Sequence, residues 1–388
     1  MKFLSGDFVF SPHTGFIRNG VLALQDDGTV EALLDPAHDA IPAAEKFEGV
    51  LCPGFVNAHC HLELSHLRGH ITKHTGFVGF AKELLPKRGT FTPEQIAAAI
   101  VEAEEEMFRN GIVAVGDISN TSDTFAQKAK GRLQYHTFIE LLALNPAMAE
   151  KVVAAGKELL SNAPQPASLT PHAPYSVSHG LMELIAADNA ARKTIASYHS
   201  QESPAEEEFS LEGTGPMLDF YAFLGIDISW YKPYGENSLR ASLPHLAKNP
   251  KLLLIHNTLA SAEDIRWAEQ QHHGLYWCFC PNANLYIENR LPDFSAFHEA
   301  DVRIVVGTDS LASNDGLSIL DELKIIGTNA PQIPAADLLT WATKNGAEAL
   351  QFDALGTFEK GKKPGVIQLS GYDGKSFAWK QAAVKRIY

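Results

Sequence analysis

The segment GVLCPGFVNAHCHLELSH, residues 49–66, joins an apolar run to two histidines that are one residue apart. Residues 49–56 have the composition of a buried strand. Side chains on a strand alternate between its two faces, so His59 and His61 are expected to point in the same direction. Two imidazoles on one face at the end of a strand can bind a metal ion, although the same pattern also occurs in surface loops.

Seven more apolar runs follow, and helix-like stretches separate them. The runs are residues 112–117, 133–142, 167–172, 194–199, 252–256, 275–280 and 302–309. The clearest helix-like stretches are residues 93–109, 148–160, 180–192, 262–271 and 317–326. Strands that alternate with helices indicate parallel βαβ units. Eight such units predict an α/β fold with a closed (β/α)₈ barrel of the TIM type over residues 49–355, and an open doubly wound sheet is the alternative.

The two ends of the chain lack this alternation. Residues 1–48 and 356–388 consist of short β-like segments that are broken by turns and punctuated by glycine and lysine. We therefore expect both ends to pair into a small β-sandwich domain beside the barrel.

Composition limits the classes of function. The 388 residues include 32 Lys and Arg against 46 Asp and Glu, for a net charge of −14, which argues against a nucleic-acid or anionic-membrane surface. The four cysteines form no CxxC pair, which favours a reducing compartment. No apolar run has the length of a membrane span or a secretory signal. We expect a cytoplasmic protein that acts on a small molecule and can form a homodimer.

Ionisable side chains recur where the predicted strands end, and in a barrel those ends surround one active-site mouth. They are His59, His61, His172, His199, His256 and Asp309. A buried histidine or aspartate needs a polar partner, so packing alone explains this recurrence poorly. Four of these residues are assigned to one divalent metal ion: His59, His61, His199 and Asp309. Three imidazoles and a carboxylate suit Zn²⁺ best, and Fe²⁺ or Mn²⁺ are possible.

A single metal ion is expected, because the predicted fourth strand contains no lysine that could bridge two ions. The metal would make a bound water nucleophilic near neutral pH, and a proton shuttle is then required. Glu202, three residues after His199, is the candidate shuttle. His256 is the candidate for orienting the nucleophile or polarising a developing alkoxide. Residues 206–208 are expected only to place negative charge at a helix N-terminus.

Six segments, in order along nearly the whole chain, resemble the amidohydrolase superfamily: PGFVNAHCHLE, HSQES, LIHNT, CPNAN, GTDSLASN and ATKNGAEAL…GTFEKGK. They are most similar to its chlorohydrolase and nucleoside or nucleobase deaminase branch. Within that branch, the runs HLELS and HSQES look most like those of the aminodeoxyfutalosine deaminases of menaquinone biosynthesis.

The resemblance implies a reaction and a role for each candidate residue. The reaction is hydrolytic deamination of a 6-aminopurine nucleoside, with 6-amino-6-deoxyfutalosine as the expected substrate. A metal-bound hydroxide would attack C6 while Glu202 protonates N1, and Asp309 would carry a proton to the leaving ammonia. The resemblance also implies that His172, in TPHAPYSVS, contacts the ribose.

Other substrate contacts are less well defined by the sequence. Arg68, Asn282 and Asn314 are candidates, and a substrate benzoate would require a cation. Arg240, Arg290, Lys73 and Lys232 are equally possible cations, although each is by default a solvated surface charge. The aromatic-rich residues 212–242 could form a lid over the substrate or pack a small core of their own.

Three alternatives remain open. The first is another deaminase of this branch, acting on S-adenosylhomocysteine, methylthioadenosine, adenosine or guanine. The second is a triazine-type chlorohydrolase. The third is a catalytically silent barrel, which we disfavour because such proteins usually lose metal ligands and this chain retains every candidate.

Overall fold

Strands and helices alternate through the middle of the chain in a computed structural model that describes residues 1–388. The strands are β1 (Lys2–Ser11), β2 (Gly15–Arg18), β3 (Val21–Leu24), β4 (Val30–Leu34), β5 (Glu45–Pro53), β6 (Phe55–Cys60), β7 (Ile112–Ser119), β8 (Gln134–Leu141), β9 (Ala167–Pro171), β10 (Ile195–Ser200), β11 (Lys251–His256), β12 (Leu275–Phe279), β13 (Ile304–Val306), β14 (Val366–Leu369) and β15 (Val384–Arg386). The helices are α1 (Gly76–Arg88), α2 (Pro93–Arg109), α3 (Phe125–Lys128), α4 (Ala149–Asn162), α5 (His179–Arg192), α6 (Pro204–Glu212), α7 (Pro216–Leu224), α8 (Ser238–Leu246), α9 (Ala262–Gln271), α10 (Pro281–Glu288), α11 (Phe294–Glu299), α12 (Ile319–Asn329), α13 (Ala335–Thr340) and α14 (Gly346–Ala349).

Eight parallel strands form two four-stranded sheets, in the orders β6-β7-β8-β9 and β10-β11-β12-β13. Hydrogen bonds connect the sheets at both junctions: the amide of His199 donates to the carbonyl of His172 (2.9 Å), and the amide of Thr308 donates to the carbonyl of His59 (3.0 Å). The predicted α/β class is confirmed. The strand order follows the sequence without reversal, which does not fit the doubly wound alternative.

The first predicted strand is wrong in one respect. Residues 49–56 were expected to form one strand, but β5 ends at Pro53 and β6 begins at Phe55. At Gly54, between them, a Cβ atom would collide with the side chain of Val113 and the carbonyl of Pro364, so only glycine fits. Residues 50–60 are buried without interruption on both sides of Gly54, and apolar composition therefore could not reveal the break.

Both ends of the chain pair in one seven-stranded sheet, in the order β15-β14-β5-β1-β3-β4, with β2 paired to β1. Strand β5 lies at its centre, parallel to β1 and antiparallel to β14. Leu22, Leu51 and Val366 belong to an apolar cluster on this sheet. The sheet therefore leads through Gly54 directly into β6, which carries His59.

The parallel strands are buried on both faces. Ile139 and Leu254 belong to the larger apolar cluster, whereas their neighbours Phe138 and Ile255 belong to a second cluster. Alternate side chains of each strand therefore enter different parts of the core, which explains why these strands read as continuous apolar runs.

Two helices begin and end where the sequence predicts. At α2, Thr92 accepts a hydrogen bond from the amide of Gln95, and the Gln95 side chain accepts one from the amide of Thr92. Ser261 and Asp264 form the same reciprocal pair at α9. Such capping boxes satisfy amides that a helix start leaves unpaired, so the starts can be located from the sequence. No helix combines the length and apolar character needed to cross a membrane.

Candidate metal centre and active site

The ends of β6, β10 and β11 and the residues after β13 bring four histidines and one aspartate together. Asp309 Oδ1 lies 3.7 Å from His59 Nε2 and 3.5 Å from His61 Nε2. The ligand atoms of His59, His199 and His256 also lie within 4.8 Å of one another. All five residues are buried. The four predicted metal ligands therefore lie in two adjoining groups that share His59.

The donor atoms of this cluster fit a divalent metal ion. His59 is completely buried, yet neither of its ring nitrogens has a hydrogen-bond partner. Burial lowers the pKa of His61 to about 3, so this imidazole is neutral at pH 7, which is the form that binds metals. Buried polar atoms are normally satisfied, and a cation held by His59, His61, His199 and Asp309 would satisfy one of the two His59 nitrogens.

Hydrogen bonds to the outer atoms hold two of these side chains in place. His199 Nδ1 lies 2.9 Å from the carbonyl oxygen of His172, to which it donates, so Nε2 is left free as the ligand atom. The hydroxyl of Ser313 donates to Asp309 Oδ2 (2.7 Å) and leaves Oδ1 facing the histidines. Such contacts orient ligands before a metal binds.

The backbone is strained at two of the site residues. His256 has a φ of 71° and Asp309 a φ of 57°, both in the left-handed region that residues with a side chain rarely adopt. Gly307, two residues before Asp309, lies close to His59. A Cβ atom at position 307 would be 2.8 Å from the His59 carbonyl oxygen. Strain of this kind persists where the surroundings enforce it, and it is common in active sites.

Glu202 lies beside the histidines, with Oε1 3.6 Å from His256 Nε2. Burial raises the pKa of Glu202 well above its usual value, and the charge of Asp309 raises it further. Burial therefore favours the protonated form of Glu202, which is the form that can donate a proton.

The Glu206 carboxylate positions Glu202. It accepts hydrogen bonds from the amides of Gln201 (2.8 Å) and Glu202 (3.0 Å), and it is buried. The expectation that residues 206–208 only supply charge to a helix end is therefore wrong for Glu206. The sequence could not show this contact, because nothing distinguishes Glu206 from the other two glutamates of the run at residues 206–208.

A cavity of about 600 Å³ opens from this cluster to the surface. Its inner wall includes the residues His61, His172, His199, Glu202, His256 and Asp309. Apolar side chains from three segments line the outer part and are partly exposed to solvent: Leu85, Leu142, Met148, Leu224, Ile226 and Trp230. The cavity thus has a polar end and an apolar mouth, and its volume suits a small organic ligand.

Of the four predicted substrate contacts, only His172 lines the cavity. Arg68 lies at the surface in an ion pair with Glu106. The amide of Asn282 and the side-chain amide of Asn314 both donate to the buried carboxylate of Glu322, at 2.8 Å and 2.9 Å. The two asparagines therefore brace the segments after β12 and β13, and neither is part of the cavity lining.

None of the other predicted cations lines the cavity, but Arg88 does. Arg240 and Lys73, for example, are paired with Asp264 and Asp315. The guanidinium of Arg88 donates to Glu63 Oε1 (2.6 Å). Sequence reasoning missed Arg88 because it ends helix α1, away from every recognisable motif.

The aromatic segment, residues 212–242, contributes to the cavity lining and to a small apolar core, and a lid over the substrate stays a prediction. Phe220, Tyr221 and Trp230 line the cavity. Tyr231 instead stacks on Phe209, with ring centroids 4.3 Å apart, inside a small apolar core. The segment therefore packs on itself and also contributes to the mouth of the cavity.

Glu322 predicts a pH-dependent contribution to stability. Burial raises its pKa from 4.5 to about 8. Because the folded pKa exceeds the unfolded one, this contribution is complete below about pH 4.5 and is lost as the pH rises through about 8. Relative to Glu322→Gln, the wild type should lose up to ~1.4 kcal/mol of unfolding free energy per pH unit in that window. Urea denaturation at several pH values measures the difference, and parallel curves for the two proteins would contradict it.

Comparison with known proteins identifies the family. Residues 50–383 match the profile of the amidohydrolase family. The chain is 29% identical over 352 residues to an adenosine deaminase of Helicobacter pylori, covering 88% of this chain and 84% of that protein. It is 27% identical over 338 residues to an aminodeoxyfutalosine deaminase of Nitratiruptor sp., covering 84% and 80%. The crystal structure of H. pylori aminofutalosine deaminase with methylthio-coformycin superposes with a TM-score of 0.83 at 24% identity, over 100% of both chains. The chain therefore belongs to the amidohydrolase family.

Proposed function

We propose that the protein is a metal-dependent hydrolytic deaminase of a 6-aminopurine nucleoside, with 6-amino-6-deoxyfutalosine as its substrate. The observation that carries this proposal is the position of Glu202. Its carboxyl group, in which burial favours the protonated form, stands beside His256 and the cluster of candidate metal ligands, at the inner end of the cavity. Relatives named as deaminases of adenosine and of aminodeoxyfutalosine support the same chemistry.

The cluster would hold one divalent metal ion through His59, His61, His199 and Asp309, and zinc suits these donors best. When bound, such a metal supplies a water that is nucleophilic near neutral pH. Glu202 would give its proton to N1 of the purine as C6 is attacked. Asp309 would accept at Oδ1 the proton that the attacking water loses and pass it to the amino group, which then leaves C6 as ammonia.

His256 has a defined protonation in this scheme. Its Nδ1 lies 3.0 Å from the side-chain oxygen of Asn284, and the amide nitrogen of Asn284 donates to Thr258 (2.7 Å). Nδ1 is therefore the donor, and because burial lowers the pKa of His256, Nε2 is a free acceptor. An acceptor at this position would orient the attacking water, which favours the first of the two roles considered for this residue.

The outer cavity supports a substrate that is longer than adenosine. Its apolar mouth would pack against an aromatic group attached beyond the ribose. Arg88, which is paired with Glu63, lies in the cavity lining and is the candidate cation for a terminal carboxylate. A benzoate at the far end of the nucleoside, as in 6-amino-6-deoxyfutalosine, matches both features. Methylthioadenosine and adenosine would leave most of the apolar mouth empty.

Ammonia release from a panel of substrates tests the proposal. The purified, zinc-loaded protein would be given 6-amino-6-deoxyfutalosine, S-adenosylhomocysteine, methylthioadenosine, adenosine and guanine. We expect the highest kcat/KM for 6-amino-6-deoxyfutalosine. A higher value for adenosine would support the alternative suggested by the H. pylori adenosine deaminase relative. No ammonia from any of these compounds, with metal bound, would refute a deaminase.

The same proposal extends to architecture and cellular setting. We propose that the two parallel sheets close into one (β/α)₈ barrel within a catalytic domain of residues 49–355, as the hydrogen bonds at both junctions suggest. Residues 1–48 and 356–388 would form the small β-sandwich domain. The enzyme would act in menaquinone biosynthesis in the cytoplasm, where its four buried thiols would stay reduced. A homodimer remains a prediction.

A further inference from the structure

Tyr175, in the loop between β9 and α5, lines the cavity, but its hydroxyl group is buried and has no hydrogen-bond partner. The residue is 3% exposed and belongs to the small apolar core that also contains Phe209. A hydroxyl group that is buried among apolar side chains without a partner costs free energy, and a phenylalanine would avoid this cost. Packing alone therefore does not explain a tyrosine at this position.

Contacts that do not involve the hydroxyl hold the Tyr175 ring in place. The ring packs against Phe77, with centroids 4.8 Å apart, and edge-on against His172, with centroids 5.6 Å apart and the planes at 81°. The carbonyl of Tyr175 accepts a hydrogen bond from the hydroxyl of Tyr221. The position of the Tyr175 hydroxyl is therefore fixed before any partner reaches it.

The polar group beside this hydroxyl is the carboxyl of Glu202, which lines the same cavity. Burial raises the pKa of Glu202, the charges of Asp309 and Glu288 add to this shift, and the Tyr175 hydroxyl opposes it as a nearby hydrogen-bond donor. The hydroxyl oxygen itself has almost no accessible surface. It is therefore placed to act on Glu202 and not directly on a substrate.

Glu202 changes its charge during the proposed reaction. When it gives its proton to N1 of the purine, its carboxyl group becomes a carboxylate in a buried site near the charge of Asp309. An anion that forms in such a site is costly unless a hydrogen-bond donor meets it. The Tyr175 hydroxyl can be that donor and keep its own proton, because burial holds its pKa well above its usual value.

We propose that Tyr175 is a positioning residue for the proton donor, and that its hydroxyl donates a hydrogen bond to the carboxylate that Glu202 becomes when it protonates the purine. This inference rests on the proposed function, which assigns that proton transfer to Glu202. One proton moves, from the Glu202 carboxyl to N1, and the Tyr175 proton stays on its oxygen. Because the hydrogen bond strengthens as the negative charge develops, Tyr175 contributes to kcat more than to KM.

The variant Tyr175→Phe tests the proposal, because it removes the hydroxyl and keeps the ring. With the nucleoside that the wild type deaminates fastest, we expect kcat to fall about 10- to 100-fold and KM to stay within about twofold. Metal content should match the wild type, and the melting temperature should not fall. The matched control is Tyr198→Phe: its hydroxyl is also buried and unpaired, but its ring lies in the larger apolar cluster and not in the cavity lining. It should keep kcat within about twofold of the wild type.

A double variant shows whether Tyr175 acts through Glu202. If it does, adding Tyr175→Phe to Glu202→Gln should change the remaining kcat by less than about twofold. The same fold loss in both backgrounds, or a single variant Tyr175→Phe with the kcat of the wild type, would overturn this role while the wild type remained a nucleoside deaminase. If the wild type deaminates no nucleoside at all, the proposed function fails, and the role of Tyr175 fails with it.

Discussion

Replacing Glu202 by Gln is expected to lower kcat by at least about 100-fold, because a positioned proton donor contributes that much or more to catalysis. Gln has nearly the same shape and can still donate a hydrogen bond, but it has no proton to transfer. Glu202 is not among the candidate metal ligands, so the metal content should remain that of the wild type. Steady-state ammonia release and metal analysis on the same preparation measure both quantities.

Glu208→Gln is the matched control for this substitution. Glu208 belongs to the same acidic run but is exposed on helix α6, where its carboxylate accepts a hydrogen bond from Thr214 (2.9 Å). It should leave kcat unchanged. If Glu202→Gln retains the turnover of the wild type, Glu202 is not the proton donor and the proposed protonation of N1 is wrong.

Removal of the metal with a chelator is expected to abolish turnover and to destabilise the fold. Without a cation, the buried ring nitrogens of His59 have no partner, and Asp309 remains next to neutral imidazoles. A metal that binds only the folded state stabilises it by about 2.7 kcal/mol at a concentration one hundred times its Kd. Thermal melting with and without chelator, followed by titration with Zn²⁺, Fe²⁺ or Mn²⁺, measures this effect.

The restoration experiment also identifies the preferred ion. One equivalent of zinc per chain should restore both activity and melting temperature if the site is mononuclear. Two equivalents would show that the interpretation of a single metal centre is wrong. An unchanged melting temperature and unchanged turnover after complete chelation would mean that these residues do not hold a functional metal.

The strand ends and the candidate metal ligands could be predicted because they depend on local periodicity. His59 and His61 are two residues apart, a spacing that places side chains on the same face of a strand. The later histidines stand at the ends of recognisable apolar runs. The starts of α2 and α9 were predictable for a similar reason, since a capping box involves only four consecutive residues.

The rest of the site depends on contacts between residues that are distant in sequence. Glu140 and Arg88 meet through Asn120, and no spacing rule connects these three positions. One signal was available: Glu140 is the only carboxylate in β8 and lies one residue before the end of that strand. Asn282 and Asn314 illustrate the opposite error, because they stand in recognisable motifs and yet turn toward Glu322.

The single residue between β5 and β6 has a consequence for how the protein unfolds. Strand β5 is hydrogen-bonded on both sides within the terminal sheet, and β6 carries His59 only four residues after its first residue, Phe55. The amide of Gly54 donates to the carbonyl of Pro364, and the amide of Phe55 donates to the carbonyl of Gly111. The connection between β5 and β6 is therefore short and held by hydrogen bonds at both residues. The terminal sheet and the strand that carries His59 should therefore melt in one cooperative transition, and an ion held at His59 would be lost at the same temperature as the sheet.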